Sequence, residues 1–162
     1  MKTVSARASI LVALLAVPVP AAFAANDGSI DITGRIVTTT CEVEGKPPGQ
    51  GAASKLVELD AISAASLATA GQTAGDRGFD IKIGGNDDCT DGASAKVRFD
   101  PASPALDRAT GRLNVDPVAG AATNVQIEIT NGDGTPINLY TDDSKAVTIS
   151  GHSATIPLIA RY

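Results

Sequence analysis

The chain has 162 residues, and its 18 acidic residues outnumber its 13 basic residues, which gives a formal net charge of −5. This balance argues against nucleic acid as a partner, because binding to phosphates depends on clustered lysine and arginine. The first 24 residues, which are predicted below to be cleaved off, hold two basic residues and no acidic one. Without them the net charge is 11 − 18 = −7. The remaining 162 − 24 = 138 residues are enough for one domain with its own core.

The first 24 residues have the pattern of a secretory signal peptide. A basic leader precedes the apolar run at residues 10–17, and Ala22 and Ala24 supply the small side chains that a signal peptidase reads. An uncleaved membrane anchor is the alternative, but this run is shorter than the roughly 20 apolar residues that span a bilayer. We therefore predict a signal peptide at residues 1–24 and export of the mature chain.

Cys41 and Cys89 are the two cysteines of the chain. A disulfide between them would persist in an exported protein and would close a loop of about 50 residues. A catalytic thiolate and a zinc site are the alternatives. Neither fits well, because His152 is the single histidine, and three Cys and His residues are too few for a structural zinc site. The sequence favours a structural disulfide.

Short runs of alternating apolar and polar residues predict β-strands with one solvated face. Turn residues separate these runs, and Asn131-Gly132-Asp133-Gly134 predicts a hairpin between Ile129 and Ile137. The fold class that this pattern predicts is an all-β sandwich. The apolar positions of the runs are Ile30, Ile32 and Ile36; Phe79, Ile81 and Ile83; Val97 and Phe99; Leu113 and Val115; and Val125, Ile127 and Ile129.

Two stretches do not alternate. By composition, residues 46–54 are predicted to form an exposed loop. Residues 60–71 are rich in alanine, and we expect there either a helical turn capped by Asp60 or an irregular crossover between sheets.

No motif in the sequence indicates an enzyme. There is no phosphate-binding loop, no G-x-S-x-G sequence and no His-Glu metal motif. Asp87, Asp88 and Asp91 lack the spacing of a calcium loop, because Cys89 stands where an oxygen ligand should be. His152 is predicted to be a loop residue rather than a general base. We therefore predict no catalytic residue, no metal, no cofactor and no small-molecule substrate.

The segment at residues 26–37 lies directly after the predicted cleavage site. Its apolar alternation predicts either the first strand of its own sheet or a detachable strand laid into a groove on another molecule. In the second case, backbone pairing would give affinity, and alternate side chains would fill pockets. Alternation alone favours the first interpretation.

Five segments share an order and spacing with a known family. Together with the signal peptide and the two cysteines, they resemble the type 1 fimbrial major-pilin family of the chaperone–usher pathway, over nearly all of the mature chain. The segments are Gly28-x-Ile30-x-Ile32-x-Gly34-x-Ile36-Val37 before Cys41; Gly78-Phe79-x-Ile81-x-Ile83 before Cys89; Ala121-Ala122-Thr123-Asn124-Val125-x-Ile127-x-Ile129; Gly134-x-Pro136-Ile137-x-Leu139; and Ile156-Pro157-Leu158-x-Ala160-Arg161-Tyr162.

The resemblance implies an incomplete immunoglobulin-like β-sandwich that is completed by donor-strand exchange. Residues 25–37 would be the N-terminal donor strand extension, and residues 38–162 would be the pilin β-sandwich domain. The resemblance also implies that Cys41 and Cys89 are the family's disulfide pair. The donor-strand interface would consist of Ile30, Ile32, Gly34 and Ile36.

The partners that the resemblance implies are other copies of the chain or related pilus subunits, a periplasmic chaperone and an outer-membrane usher. The expected role is a structural subunit of a surface fimbria that supports adhesion. A secreted monomeric or fibre-tip binding module is the alternative. Members of the family usually continue beyond the position of Tyr162 with another strand, so we expect a sandwich truncated at its C-terminus, with a naturally shortened sandwich as the alternative.

Overall fold

A computed structural model describes residues 41–48, 50, 53–117 and 121–162. These residues form seven strands and one short 3-10 helix, which confirms the all-β prediction for the described part of the chain. The helix is Ala64–Leu67, and the strands are β1 Arg77–Gly84, β2 Ser94–Ala95, β3 Leu106–Asp107, β4 Arg112–Asn114, β5 Gln126–Asn131, β6 Val147–Thr148 and β7 Ser153–Arg161.

Five strands form one antiparallel sheet in the order β1-β7-β5-β4-β3. β1 pairs with β7 over its whole length, from Arg77 opposite Ala160 to Gly84 opposite Ser153. β2 and β6 form a second sheet of two strands. Buried residues of both sheets belong to one hydrophobic cluster, so the two sheets are the layers of a sandwich.

The apolar alternation of β1 is matched on β7, and this match fixes the inner face of the larger sheet. Successive side chains of a strand point to opposite faces, so one face of each strand can be wholly apolar. Every second residue of β7 from Ala154 to Ala160 is buried. The facing pairs are Phe79 with Leu158, Ile81 with Ile156, and Ile83 with Ala154.

The alternation at Val97 and Phe99 appears in burial, whereas strand pairing in this run is reduced to an isolated bridge between Arg98 and Asp143. Both side chains are buried and Arg98 between them is exposed, yet strand β2 already ends at Ala95. The N–H of Val97 donates to the hydroxyl of Ser144 at 2.9 Å instead of to a backbone carbonyl. The ladder is therefore interrupted while the side chains keep their strand-like directions.

Residues 60–71 contain the 3-10 helix, and its cap is not Asp60. The hydroxyl of Ser63 accepts a hydrogen bond from the N–H of Ala65 at 3.3 Å. No residue of the helix is buried, so this turn adds little to the core.

The predicted hairpin after β5 is present. The N–H of Gly134 donates to the carbonyl of Asn131 at 2.8 Å, and the N–H of Asn131 donates to the carbonyl of Thr135 at 2.9 Å. Beyond the turn, the N–H of Ile137 donates to the carbonyl of Ile129 at 3.0 Å. These bonds close the turn and return the chain to the edge of β5.

Pro157 lies inside β7, the second strand of the sheet, although proline cannot donate a ladder hydrogen bond. Its carbonyl accepts from the N–H of Gly132 at 2.9 Å. The nitrogen and the carbonyl of a strand residue point to the same edge of the strand. The nitrogen of Pro157 therefore faces β5, as its carbonyl does, at the point where β5 has already ended at Asn131. Pro157 therefore removes no hydrogen bond to β1.

We expect Gly132→Ala to destabilise the fold, because a Cβ at this position would lie 2.8 Å and 2.9 Å from the Cβ and Cγ atoms of Pro157. The proline ring cannot rotate away, so the overpacking should cost about 1–3 kcal/mol in urea unfolding.

Gly78→Ala is the matched control, because a Cβ at Gly78 would meet no atom within 4 Å. Equal losses of stability in the two variants would contradict the packing argument.

Candidate functional site

β1 is an edge strand, and the segment that follows Cys41 pairs with only part of its free edge. The N–H of Glu44 donates to the carbonyl of Lys82 at 2.9 Å, and the N–H of Gly84 donates to the carbonyl of Glu42 at 2.8 Å. The carboxylate of Glu44 also accepts from the N–H of Lys82 at 2.8 Å. The second half of β1 is therefore covered on both edges.

The first half of β1 directs backbone groups away from β7. Because Lys82 and Gly84 bond along the free edge, Gly78 and Asp80, which have the same parity, point their N–H and C=O groups the same way. In the described residues, neither Gly78 nor Asp80 has a backbone partner on this edge. Within the described ranges, this half of the strand edge therefore has no paired strand.

A groove of about 440 Å³ runs between this half-edge and residues 55–58. Leu56, on its rim, is 64% exposed, while Val57 is buried and Phe79 is partly buried beside it. In the described residues, an unpaired half-edge thus lies next to one exposed leucine, and such an edge can accept an added strand. The groove is lined by residues 55–58, residues 77–80 and Lys82.

The disulfide between Cys41 and Cys89 is present and fixes the point at which residues 42–44 begin to pair with β1. Its two Cα atoms are 4.5 Å apart and both side chains are buried. The sequence separation is 48 residues, and closing such a loop stabilises a fold by about 4 kcal/mol in the chain-entropy model. Gly84 packs against this bridge with φ +83, and a Cβ there would lie 3.0 Å from Cys89 Sγ.

His152 lies in the turn before β7, in agreement with its prediction as a loop residue. Its Nδ1 atom is 2.8 Å from the carbonyl oxygen of Cys89, and its N–H donates to Asp91 Oδ1 at 2.7 Å. The hydrogen bond to the Cys89 carbonyl and the negative charges of Asp91 and Asp87 raise the pKa of His152 above its usual value.

The outer face of β5 carries a buried carboxylate where alternation predicted a solvated face. Glu128 is 6% exposed. On β7, Arg161 lies directly opposite and donates to Oε2 through Nη2 at 2.7 Å and Nε at 2.9 Å. On β4, Arg112 donates to Oε1 at 2.8 Å and 3.1 Å. Two arginines therefore hold one carboxylate across three strands.

The balance of these contacts favours the charged form of Glu128. Burial by itself raises the pKa of this carboxyl, but the hydrogen bonds and charges of Arg161 and Arg112 outweigh burial and lower the pKa below its usual value. A group with a lowered folded-state pKa stabilises the fold above its unfolded pKa, and this contribution is lost as the pH falls through the folded pKa.

We predict that Glu128→Gln lowers the free energy of unfolding at neutral pH by about 2 kcal/mol. This is less than the roughly 3–5 kcal/mol for breaking a fully buried pair, because the arginine side chains stay 19% and 45% exposed and can be hydrated. Urea unfolding at neutral pH and at about pH 3 measures the effect.

The control is Glu58→Gln, at an exposed position. The loss at Glu128 should shrink at the lower pH, because the carboxyl is protonated in the unfolded chain below its usual pKa and part of the ion-pair stabilisation is then lost. A loss that is the same at both pH values would contradict the ion-pair explanation.

The described residues contain no cluster of three or more His, Cys, Asp or Glu side chains that could hold a metal ion. Across the same ranges, no helix has the length and apolar character needed to cross a membrane.

The predicted donor-strand residues lie outside the described residues. This holds for Ile30, Ile32, Gly34 and Ile36, for the whole extension at residues 25–37 and for the signal peptide at residues 1–24. These assignments stay predictions.

These features define the class of protein. In its described residues, the chain is a disulfide-bonded β-sandwich in which half of one strand edge has no paired strand. The family model described as "Fimbrial protein" matches residues 30–162. The chain belongs to the fimbrial protein family.

Curated relatives agree with this assignment. The serotype 2 fimbrial subunit of Bordetella pertussis is 33% identical over 139 residues, which cover 81% of this chain and 64% of that protein. The type-1 fimbrial protein, A chain, of Escherichia coli is 28% identical over 85% of this chain and 72% of its own length. The major fimbrial subunit SMF-1 of Stenotrophomonas maltophilia is 38% identical over 68% of this chain and 60% of its own length. The chain thus spans about two thirds of the length of these relatives.

Among solved structures, the crystal structure of an antigen and type I fimbria protein of Burkholderia pseudomallei aligns with a TM-score of 0.39 and 25% identity. The alignment covers 83% of this chain and 82% of that chain.

Proposed function

We propose that the chain is a structural subunit of a bacterial fimbria that polymerises by donating residues 25–37 into a groove of a neighbouring subunit. The observation that carries this proposal is the match of the fimbrial family to residues 30–162. The match begins at Ile30, the first isoleucine of the alternating segment, and continues through β7. It therefore includes most of the proposed donor strand together with the sandwich.

The direction of the chain at Cys41 supports donation to a neighbour. Val43 pairs antiparallel with Ile83, so the chain read backwards from Val43 to Cys41 runs toward the Gly84 end of β1. The groove lies at the opposite end, beside Gly78. To fill its own groove, the donor segment would have to reverse at Cys41 and pass outside residues 42–44, which already occupy this edge.

The groove itself supports a strand as the incoming partner. Gly78 and Asp80 offer backbone groups, and Leu56 and Phe79 offer apolar surface to alternate side chains of an added strand. In the proposed complex, Ile30, Ile32 and Ile36 face this surface, and Gly34 lets the two backbones approach closely.

A strand edge without a partner beside the exposed side chain of Leu56 favours aggregation until it is covered. The proposal therefore includes a periplasmic chaperone that covers the groove before assembly, an outer-membrane usher, and export through the periplasm to a fimbria on the cell surface that supports adhesion. It includes no enzymatic activity, since the role consists of strand pairing between subunits.

A synthetic peptide of residues 26–37 tests the donor strand. We expect this peptide to displace the chaperone from a chaperone-held subunit of the same kind and to give a heat-resistant complex on native gels. Replacement of both Ile30 and Ile32 by Asp should abolish the complex, because charged side chains would replace the two isoleucines proposed to pack against Leu56 and Phe79.

The matched control carries Asp at Ser29 and Thr33, which adds the same charge to the other face of the strand. This peptide should still bind. If both charged peptides behave alike, whether they bind or fail, the proposed apolar face of the donor strand is wrong.

A further inference from the structure

We propose that His152 is a protonation-dependent clasp that joins the turn before β7 to the turn that carries Cys89. It is the chain's single histidine, and none of the features proposed for assembly uses it. Its ring contacts the Cys89 carbonyl at 2.8 Å and its N–H donates to Asp91 at 2.7 Å. Both contacts reach across 61 or more residues of sequence to the disulfide turn.

The backbone holds His152 in position for this contact. Its φ of 57° lies in the left-handed region, which few residues other than glycine and asparagine adopt readily. Its carbonyl accepts from the N–H of Gly85 at 2.9 Å, and a Cβ on Gly84 would lie 2.2 Å from the same carbonyl oxygen. The end of β1 thus fits closely around the backbone of His152, whose ring contacts the Cys89 carbonyl.

The charges around His152 and the turn that carries Cys89, here called the disulfide corner, are mostly negative. Asp87 and Asp91 act on the ring through their charges. Asp88 lies on the same turn, and Glu42 lies on the segment that pairs with Gly84. The other residues of the turn at 150–153 are uncharged, and Lys82 is the positive residue at this end of β1.

Protonation strengthens the clasp. A neutral imidazole can still donate one N–H to the Cys89 carbonyl, but only the charged ring attracts Asp91 and Asp87. Because these contacts raise the folded-state pKa of His152, their stabilisation is fully present below the unfolded pKa and is lost as the pH rises through the raised pKa. The contact between His152 and the disulfide corner is therefore more stable in a mildly acidic than in an alkaline medium.

This device acts on the part of the fold that positions residues 42–44. The Cys41–Cys89 bridge joins those residues to the turn that His152 contacts. Protonation of one side chain thus stabilises the link between the disulfide corner and β7, independently of whether the chain donates a strand.

Proton NMR of the His152 ring in the mature chain tests the proposal. We expect a pKa above the usual histidine value of 6.5 in the wild type and a lower pKa in Asp91→Asn. Asparagine keeps an oxygen that can accept the N–H of His152, so this variant removes mainly the charge. Asp116→Asn, at an exposed position on another part of the chain, should leave the pKa of His152 unchanged. A wild-type pKa at or below 6.5, or equal shifts in both variants, would overturn the proposal.

Thermal unfolding gives a second measurement. His152→Asn removes the titrating ring and tolerates the left-handed backbone. Between about pH 5.5 and about pH 8, the melting temperature of the wild type should fall further than that of His152→Asn. An identical pH dependence in the two proteins would show that the ring does not act as a clasp.

Discussion

The pairing of residues 42–44 with the last residues of β1 is the constraint on which the rest of the molecule depends. It consists of two backbone hydrogen bonds of 2.8 and 2.9 Å, and the Cys41–Cys89 bridge holds it in place. Because the pairing stops at Lys82, no described residue pairs with the free edge of the first half of β1, beside the groove. The same contact sets the direction of residues 42–44 along this edge, and the proposed donation of a strand to a neighbour rests on that direction.

The larger sheet can carry an open edge because it is firmly held elsewhere. β1 pairs with β7 over its full length, and β5 pairs with the other side of β7. On the outer face, Glu128 joins three strands through Arg112 and Arg161. An unpaired half-edge is a risk for aggregation in a monomer, whereas in a subunit that accepts a strand it is the means of assembly.

Alternation predicted β1, the hairpin after β5 and the all-β class, because these depend on local periodicity. It did not predict that Glu128 is buried, since its partners Arg112 and Arg161 come together only through the sheet register. It also missed the break after Ala95, where a distant serine hydroxyl replaces a backbone acceptor. No local pattern in the sequence indicated these features, because each depends on a contact with a residue far away in the chain.

Photocrosslinking within assembled fibres tests the central claim most directly. A photoreactive residue in place of Ile32 should give crosslinked products of two or more subunits, joined through residues 55–58 or 77–82 of a neighbour. The same residue in place of Thr33, on the polar face, should crosslink less to those positions. Crosslinks from position 32 that stay within a single chain would contradict the account, because the N-terminal strand would then complete its own sheet.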